Sequence, residues 1–317
     1  MAHVSSLASR RLLIVTGKGG VGKTTLSAAM ALTFAAQNKR VLLAMCNTQD
    51  RMGALFDHGP VGAEITALGA NIWAVNIDPE RALEEYGVLT LKSRTLYRVL
   101  FDNKYIRVFL RAIPGLFEWA MLGKAWWHTT EIRADGEPRF DIVIVDAPAT
   151  GHGLDMMRVP RILCDIAPPG VLRRDAEASL TMMRDAARSG VVVISLPEEM
   201  PVTETLELTA ELQGALALPL GCVIVNAAYP DCLNADAQKS VQSAQGLSPD
   251  AIAAAAEVLA YEERLAMQKR AYARLCASLD DTPPVLTYSA KAGTPEGVRQ
   301  LAKQLEQSPS WPKSAST

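Results

Sequence analysis

Gly17-Lys18-Gly19-Gly20-Val21-Gly22-Lys23-Thr24 follows an apolar run, Leu12 to Val15, and leads into a helical pattern, so it reads as a strand, a phosphate-cradling loop and a helix. It fits GxxxxGK[ST]. In that pattern backbone N–H groups surround phosphate oxygens, Lys23 reaches the β- and γ-phosphates, and the Thr24 hydroxyl ligates Mg2+. Glycine is required where a Cβ would block the approach of backbone to phosphate. The helix expected over 23–37 turns its positive N-terminal end toward the same point. A glycine-rich turn alone says little, but eight matched positions between a strand and a helix point to nucleotide.

Outward from this loop, further apolar runs read as buried strands: Val41 to Met45, Ile72 to Ile77, Ile142 to Val145, Val191 to Ser195, Cys222 to Val225 and Val285 to Tyr288. Their hydrophobicity is nearly continuous, as in strands buried on both faces, and helical segments separate them. The helices expected include 201–216, a long one over 249–279 that opens on Ser248-Pro249, and 294–307; Pro283-Pro284 blocks continuation of the long one. The fold class is therefore α/β, a P-loop NTPase fold with a mostly parallel sheet covered by helices. Residues 1–307 read as one domain, and 308–317, QSPSWPKSAST in its context, as a disordered polar tail.

Residues 81–139 break the alternation, being too long for one crossover helix and lacking an obvious strand. They read as a helical insertion. Ile106, Phe109, Leu110 and Ile113 recur at helical spacing, with Lys104, Arg107 and Arg111 on other faces, Pro114-Gly115 interrupts, and an apolar helix restarts at Leu116. Phe109, Phe117, Trp119, Met121 and Trp126, beside Leu122 and Trp127, form a candidate surface for an apolar client protein. The alternative is that these residues pack the insertion onto the sheet or onto a second subunit.

The 317 residues carry 32 Lys plus Arg against 34 Asp plus Glu, so a net charge of -2 offers no broad attraction to nucleic acid or anionic membranes. No run approaches 18 apolar residues and no signal peptide precedes the first strand, so the expectation is a cytoplasmic protein without an integral membrane segment. Five scattered cysteines, Cys46, Cys164, Cys222, Cys232 and Cys276, never spaced as CxxC, argue against a disulfide framework and a local zinc site.

The strand ending Ile144-Val145-Asp146 places a carboxylate beside the phosphate loop, where it can hold Mg2+ directly or through water. Ala147-Pro148-Ala149-Thr150-Gly151-His152-Gly153 follows, a turn rich enough in Pro and Gly to move with the γ-phosphate. With both motifs in view, the chain resembles the ArsA-like branch of P-loop ATPases, which includes arsenite-efflux ATPases, targeting ATPases for tail-anchored membrane proteins, and paired bacterial relatives. GKGGVGKTT resembles that branch's P-loop, DAPATGHGL its second switch, LPEEMPVTETLEL a segment of its bacterial members and IPGLFEWAMLGK its helical insertion. The GKGG form alone is shared with partition ATPases and nitrogenase iron protein, so the last two segments make the narrower assignment.

The resemblance implies nucleotide contacts from Gly17, Lys18, Gly19, Gly20, Val21, Gly22, Lys23, Thr24, Thr25 and Asn226, the last reading the adenine edge. It implies Mg2+ at Thr24 and Asp146, and a second switch of Ala147, Pro148, Thr150, Gly151 and His152. His152 either couples nucleotide state to the dimer interface or pins the loop. Lys18 matches the lysine that reaches the partner subunit's phosphates, so Lys18 and Lys23 count as catalytic and the protein as a dimer, with itself or with a paralogous ATPase.

The chain departs from the family where an acid orients the attacking water. Asn47 stands there, which matches Asp in shape but cannot accept the proton, and Asp50 is the candidate substitute. No second cysteine accompanies Cys232, so the zinc clasp of eukaryotic targeting dimers has no counterpart, and no thiolate cluster suits arsenite. Two functions follow: a dimeric ATPase switch that captures or releases an apolar client, or a hydrolysis-impaired regulatory subunit of a heterodimer. Partitioning and electron transfer lack the membrane helix, basic face or paired cysteines they need.

Overall fold

The computed structural model describes residues 7–93, 95, 115–148, 150–231 and 248–311, without the side chains of 91, 150–152 and 251. Ile106, Phe109, Leu110 and Ile113, with Lys104, Arg107 and Arg111, lie outside the described residues, as do Ala149, Cys232 and the side chains of Thr150 and His152.

Eight strands form one sheet: β1 (Leu12–Gly17), β2 (Val41–Cys46), β3 (Thr66–Gly69), β4 (Ile72–Ile77), β5 (Ile142–Asp146), β6 (Ser189–Ser195), β7 (Leu220–Ala228) and β8 (Val285–Thr287). Their order is β3-β4-β2-β5-β1-β6-β7-β8, and every neighbouring pair is parallel except β3 with β4. The near-continuous hydrophobicity has its cause in the period of two. Leu12, Ile14, Leu42, Ala44, Val143 and Val145 enter the core on one face, while Leu13, Val15, Leu43, Met45, Ile142 and Ile144 enter the core on the other.

Nine α-helices lie among the described residues: α1 (Lys23–Ala36), α2 (Met52–Leu55), α3 (Pro79–Leu91), α4 (Leu116–His128), α5 (Thr150–Ile166), α6 (Val171–Arg184), α7 (Glu199–Gln213), α8 (Pro249–Ala277) and α9 (Pro295–Gln307). Alanines 28, 29 and 31 are fully buried along α1, which packs against the sheet and α9. The opposite face carries α4 to α8, through residues such as Leu122, Met156, Met182, Leu212 and Leu275.

Three departures from the sequence reading have physical reasons. β3 is a four-residue edge strand with Leu68 as its one buried residue, too little apolar pattern to announce itself. Residues 150–153 are not a free turn but the first turn of α5. Gly151, Gly153 and Pro160 depress helix propensity there, and burial of Met156, Met157, Val159 and Leu163 outweighs it. The tail is ordered as far as Trp311, which is buried against Phe34 at a ring-centroid distance of 6.1 Å; residues 312–317 lie outside the described residues.

The insertion's described part consists of α3 packed on α4, then a single antiparallel bridge between Ile132 and Pro138. Trp119 and Met121 are buried and so do not form a surface. Trp119 meets Tyr86 of α3 edge-on at 4.7 Å, and Phe117 and Trp126 are half-buried.

Candidate nucleotide site

Because β1 lies between β5 and β6, the C-terminal ends of β2, β5, β1, β6 and β7 open along one sheet edge, where chain connections diverge to either side. The residues named from sequence stand at that edge. Gly22 caps α1 with φ +94°, a left-handed conformation, and no side chain caps the helix, so its leading N–H groups face the loop without a side-chain acceptor. Gly19 and Gly20 are exposed, and Lys23, Thr24 and Thr25 are half-buried, as a cradle open to a ligand requires.

Lys23 folds back over the loop, its Nζ donating to Gly17 O at 3.1 Å and Lys18 O at 3.0 Å. An ammonium carries three donors, so one is left for a ligand. Burial pushes the Lys23 amine below its ordinary range, and nearby Asp146 pulls it back up. Thr24 Oγ1 donates to Asp146 Oδ2 at 2.7 Å, and Ser27 Oγ to Oδ1 at 3.4 Å. Burial raises the Asp146 carboxyl; Thr24, Lys23 and Ser27 oppose the rise. A hydroxyl and a buried carboxylate side by side are the hard oxygen donors that Mg2+ takes, and they fit that ion together with phosphate and water.

Asn226 is 9% exposed, and its Nδ2 donates to Val21 O at 2.8 Å. It therefore supports the loop from within β7, two residues before the strand's end. Ser27 escapes sequence reading, because nothing but the fold turns its hydroxyl toward β5.

Beyond β2, Asn47 takes φ +47°, donates its N–H to Ile77 O at 3.0 Å and leaves its side chain exposed. Asn76 clamps the next residue, accepting from Thr48 N at 3.3 Å and donating to Thr48 O at 2.8 Å. Asp50 has a structural job here. Its Oδ1 accepts from Met52 N at 2.9 Å and Gly53 N at 3.3 Å, and its Oδ2 from Val61 N at 2.8 Å. These three bonds tie the start of α2 to the loop at Val61 and hold the carboxylate against backbone, leaving Oδ2 with acceptor capacity for one further donor.

In the second switch, Ala147 is buried and donates its N–H to Val15 O at 3.1 Å, while Pro148 is half-buried. A Cβ at Gly153 would stand 2.7 Å from Pro148 O and 3.1 Å from Thr16 Oγ1, so this glycine permits α5 to start close against β1. Lys18 turns away from the loop: its Nζ lies 2.6 Å from Glu204 Oε1 on α7. Away from the loop, a groove of about 650 Å³ runs between α3, α4 and α6, lined by Leu89, Trp126, Trp127 and Val171 and by charged residues such as Glu85, Lys124 and Asp175.

Comparison with known proteins bears directly on this site. A family model described as "Anion-transporting ATPase" matches residues 10–167, from the start of β1 to the end of α5. ATPase BagA of Mycobacterium tuberculosis is 31% identical over 247 residues, covering 76% of this chain and 72% of the relative. Arsenical pump-driving ATPases of Escherichia coli and Acidiphilium multivorum are 30% and 29% identical, over 63% and 64% of this chain but only 34% of their own length. The chain belongs to the ArsA-like ATPase family. The family is one of ATPases, so the loop, the uncapped helix and the Thr24–Asp146 pair fall within the part matched by its model. Among the described residues no helix is long and apolar enough to cross a membrane.

Proposed function

We propose that this ArsA-like protein binds Mg2+-ATP at residues 17–25 and hydrolyses it as half of a two-protomer switch. The observation that carries the reading is the 2.7 Å Thr24–Asp146 contact at the foot of an uncapped helix, with Lys23 arched over the loop. On this reading, backbone N–H groups of 19–25 and the remaining Lys23 donor hold the phosphates, and Thr24 and Asp146 hold the metal. Bound there, the ion would supply charge neutralisation for the phosphates. Asn226 keeps one amide hydrogen and its carbonyl for the adenine edge, and Lys18 serves the partner's phosphates. An apolar segment of a client protein would occupy the groove between α3, α4 and α6.

Asp50, engaged by three backbone N–H groups, and the exposed amide Asn47 favour a second reading, a nucleotide-holding subunit that depends on a paralogous ATPase for turnover. Phosphate release by the purified chain separates the two. Magnesium-dependent release that Lys18→Ala abolishes is the result expected of the switch; ATP binding without release, restored by a co-purifying paralogue, supports the second. No heat of association with ATP or ADP at millimolar magnesium overturns both.

A further inference from the structure

Lys18 follows Gly17 directly at the end of β1, yet its ammonium is paired with a carboxylate 186 residues away. Glu204 is held in place on both sides. Thr203 Oγ1 accepts from Arg274 Nη1 of α8 at 2.9 Å, and Thr205 Oγ1 donates to Ser195 Oγ at the end of β6 at 2.9 Å, inside the protein. One Glu204 oxygen receives Lys18; the other, Oε2, is shut off from solvent and has no hydrogen-bond partner among the described residues. A half-desolvated carboxylate with a single cationic partner resists losing that partner.

We propose that Glu204 is a positioning residue that holds Lys18 within its own protomer and restrains closure of the nucleotide-bound dimer. This rests on the reading of Lys18 above. Held at Glu204, the Lys18 ammonium keeps two donors but is placed against α7 of its own protomer, so reaching a partner's phosphate means leaving one anion for another. The exchange is feasible because the pair is only partly buried, with side-chain exposures of 38% for Lys18 and 30% for Glu204. Exposed pairs shift equilibria by about 1.5- to 5-fold, so the restraint yields to a triphosphate and still sets the concentration at which it yields. Thr203 and Arg274 tie the same turn of α7 to α8, so release of Lys18 frees a helix already linked to the next one.

Two measurements on the full chain test this. The first is acetylation of Lys18 by a small amine reagent in nucleotide-free protein, read by peptide mass spectrometry against Lys39. The second is the dimer fraction from sedimentation velocity over a series of Mg2+-ATPγS concentrations. Glu204→Gln is expected to raise Lys18 labelling and to lower the midpoint for dimerisation, each by about 1.5- to 5-fold per protomer. Glu204→Asp is expected to restore wild-type behaviour in part, and Lys18→Ala to make Glu204→Gln silent on dimerisation. Unchanged labelling in Glu204→Gln overturns the proposal, as does an unchanged or higher midpoint or a failure to dimerise. Calorimetry of wild type with Mg2+-ATP reports separately on the underlying reading: absence of binding removes the role of Lys18 at phosphates, and labelling still decides whether Glu204 holds it.

Discussion

Asn226 Nδ2 lies 2.5 Å from where a Cβ on Gly22 would stand, so β7 and the phosphate loop meet at a point that only glycine fits. Gly22 also carries φ +94°, which strains any other residue. Gly22→Ala therefore faces both a steric and a conformational cost, together about 1–3 kcal/mol, or a fall in Tm of about 2–10 °C for a chain of this size. Truncating Asn226 removes the clash and leaves the backbone strain. Calorimetric scans of Gly22→Ala, Asn226→Ala and the double variant should show less than additive loss, by at least about 0.5 kcal/mol.

Asp146 gives a prediction with a pH signature. Its carboxyl is raised by burial, so the folded protein holds the proton more tightly than the unfolded chain. A group shifted in this direction stabilises below its unfolded pKa, and that stability is lost as pH rises through the folded value. Asp146→Asn removes the loss, so the nucleotide-free variant should melt above wild type at pH 7 to 8. The difference should shrink toward zero below about pH 4, where the unfolded carboxyl is protonated as well. The same variant should lose the magnesium dependence of ATP affinity, read by titration with and without the metal.

Lys23 makes two bonds to loop carbonyls and retains a donor for phosphate. Lys23→Ala removes a charge-assisted contact of about 1.5–3 kcal/mol, so Mg2+-ATP affinity should fall by about 10- to 150-fold in calorimetry. If affinity is unchanged, the loop is not the phosphate site.

The parts of this site that announced themselves in sequence are those whose chemistry is local. The strand, loop and start of α1 are contiguous, and Asp146 ends a run of four apolar residues, so the pattern shows where the carboxylate must emerge. The central strands are legible because burial on both faces leaves them apolar, whereas β8 at the sheet edge is exposed at Val285 and Thr287 and shows only as a short apolar run. What stayed hidden depends on contacts made across the fold. Ser27, Glu204 and the Asn226–Val21 bond join residues 119, 186 and 205 positions apart, and nothing in their immediate neighbours marks them. The aromatic cluster at 117–127 leaves two readings open in sequence for a related reason: spacing shows a helix, but only packing against Tyr86 and the sheet shows Trp119 and Met121 facing inward. α5 was masked by its glycines and proline, because tertiary burial outweighs local propensity there.

Asp50 separates a structural from a catalytic role. Asp50 stands one residue before the N-cap Arg51, and losing its three backbone contacts should cost about 0.5–2 kcal/mol, on the scale of a lost capping side chain, and lower Tm accordingly. Asp50→Ala should change kcat by less than about 10-fold, since general-base loss would cost about 100-fold or more. A collapse of kcat with unaltered Tm would instead make Asp50 the group that handles the water.

Asn47 tests the first switch directly. Its φ of +47° lies in the left-handed region that Asn and Asp both tolerate, its N–H is fixed on Ile77 O, and its side chain is exposed. Asn47→Asp should therefore leave the backbone in place, with Tm within about 2 °C of wild type, because surface substitutions of this kind shift stability by about 0.5 kcal/mol at most. The added carboxylate can accept a proton, which the amide cannot, and positioned general bases contribute about 100- to 10,000-fold. Partial alignment in a switch shaped around Asn argues for the lower end, so kcat for phosphate release should rise at least about 10-fold while KM for ATP moves little. Single-turnover release in Asn47→Asp, beside Asp50→Ala in the same assay, checks this: a rise confined to Asn47→Asp means the missing acid limits turnover, and no rise means that closure or another group does.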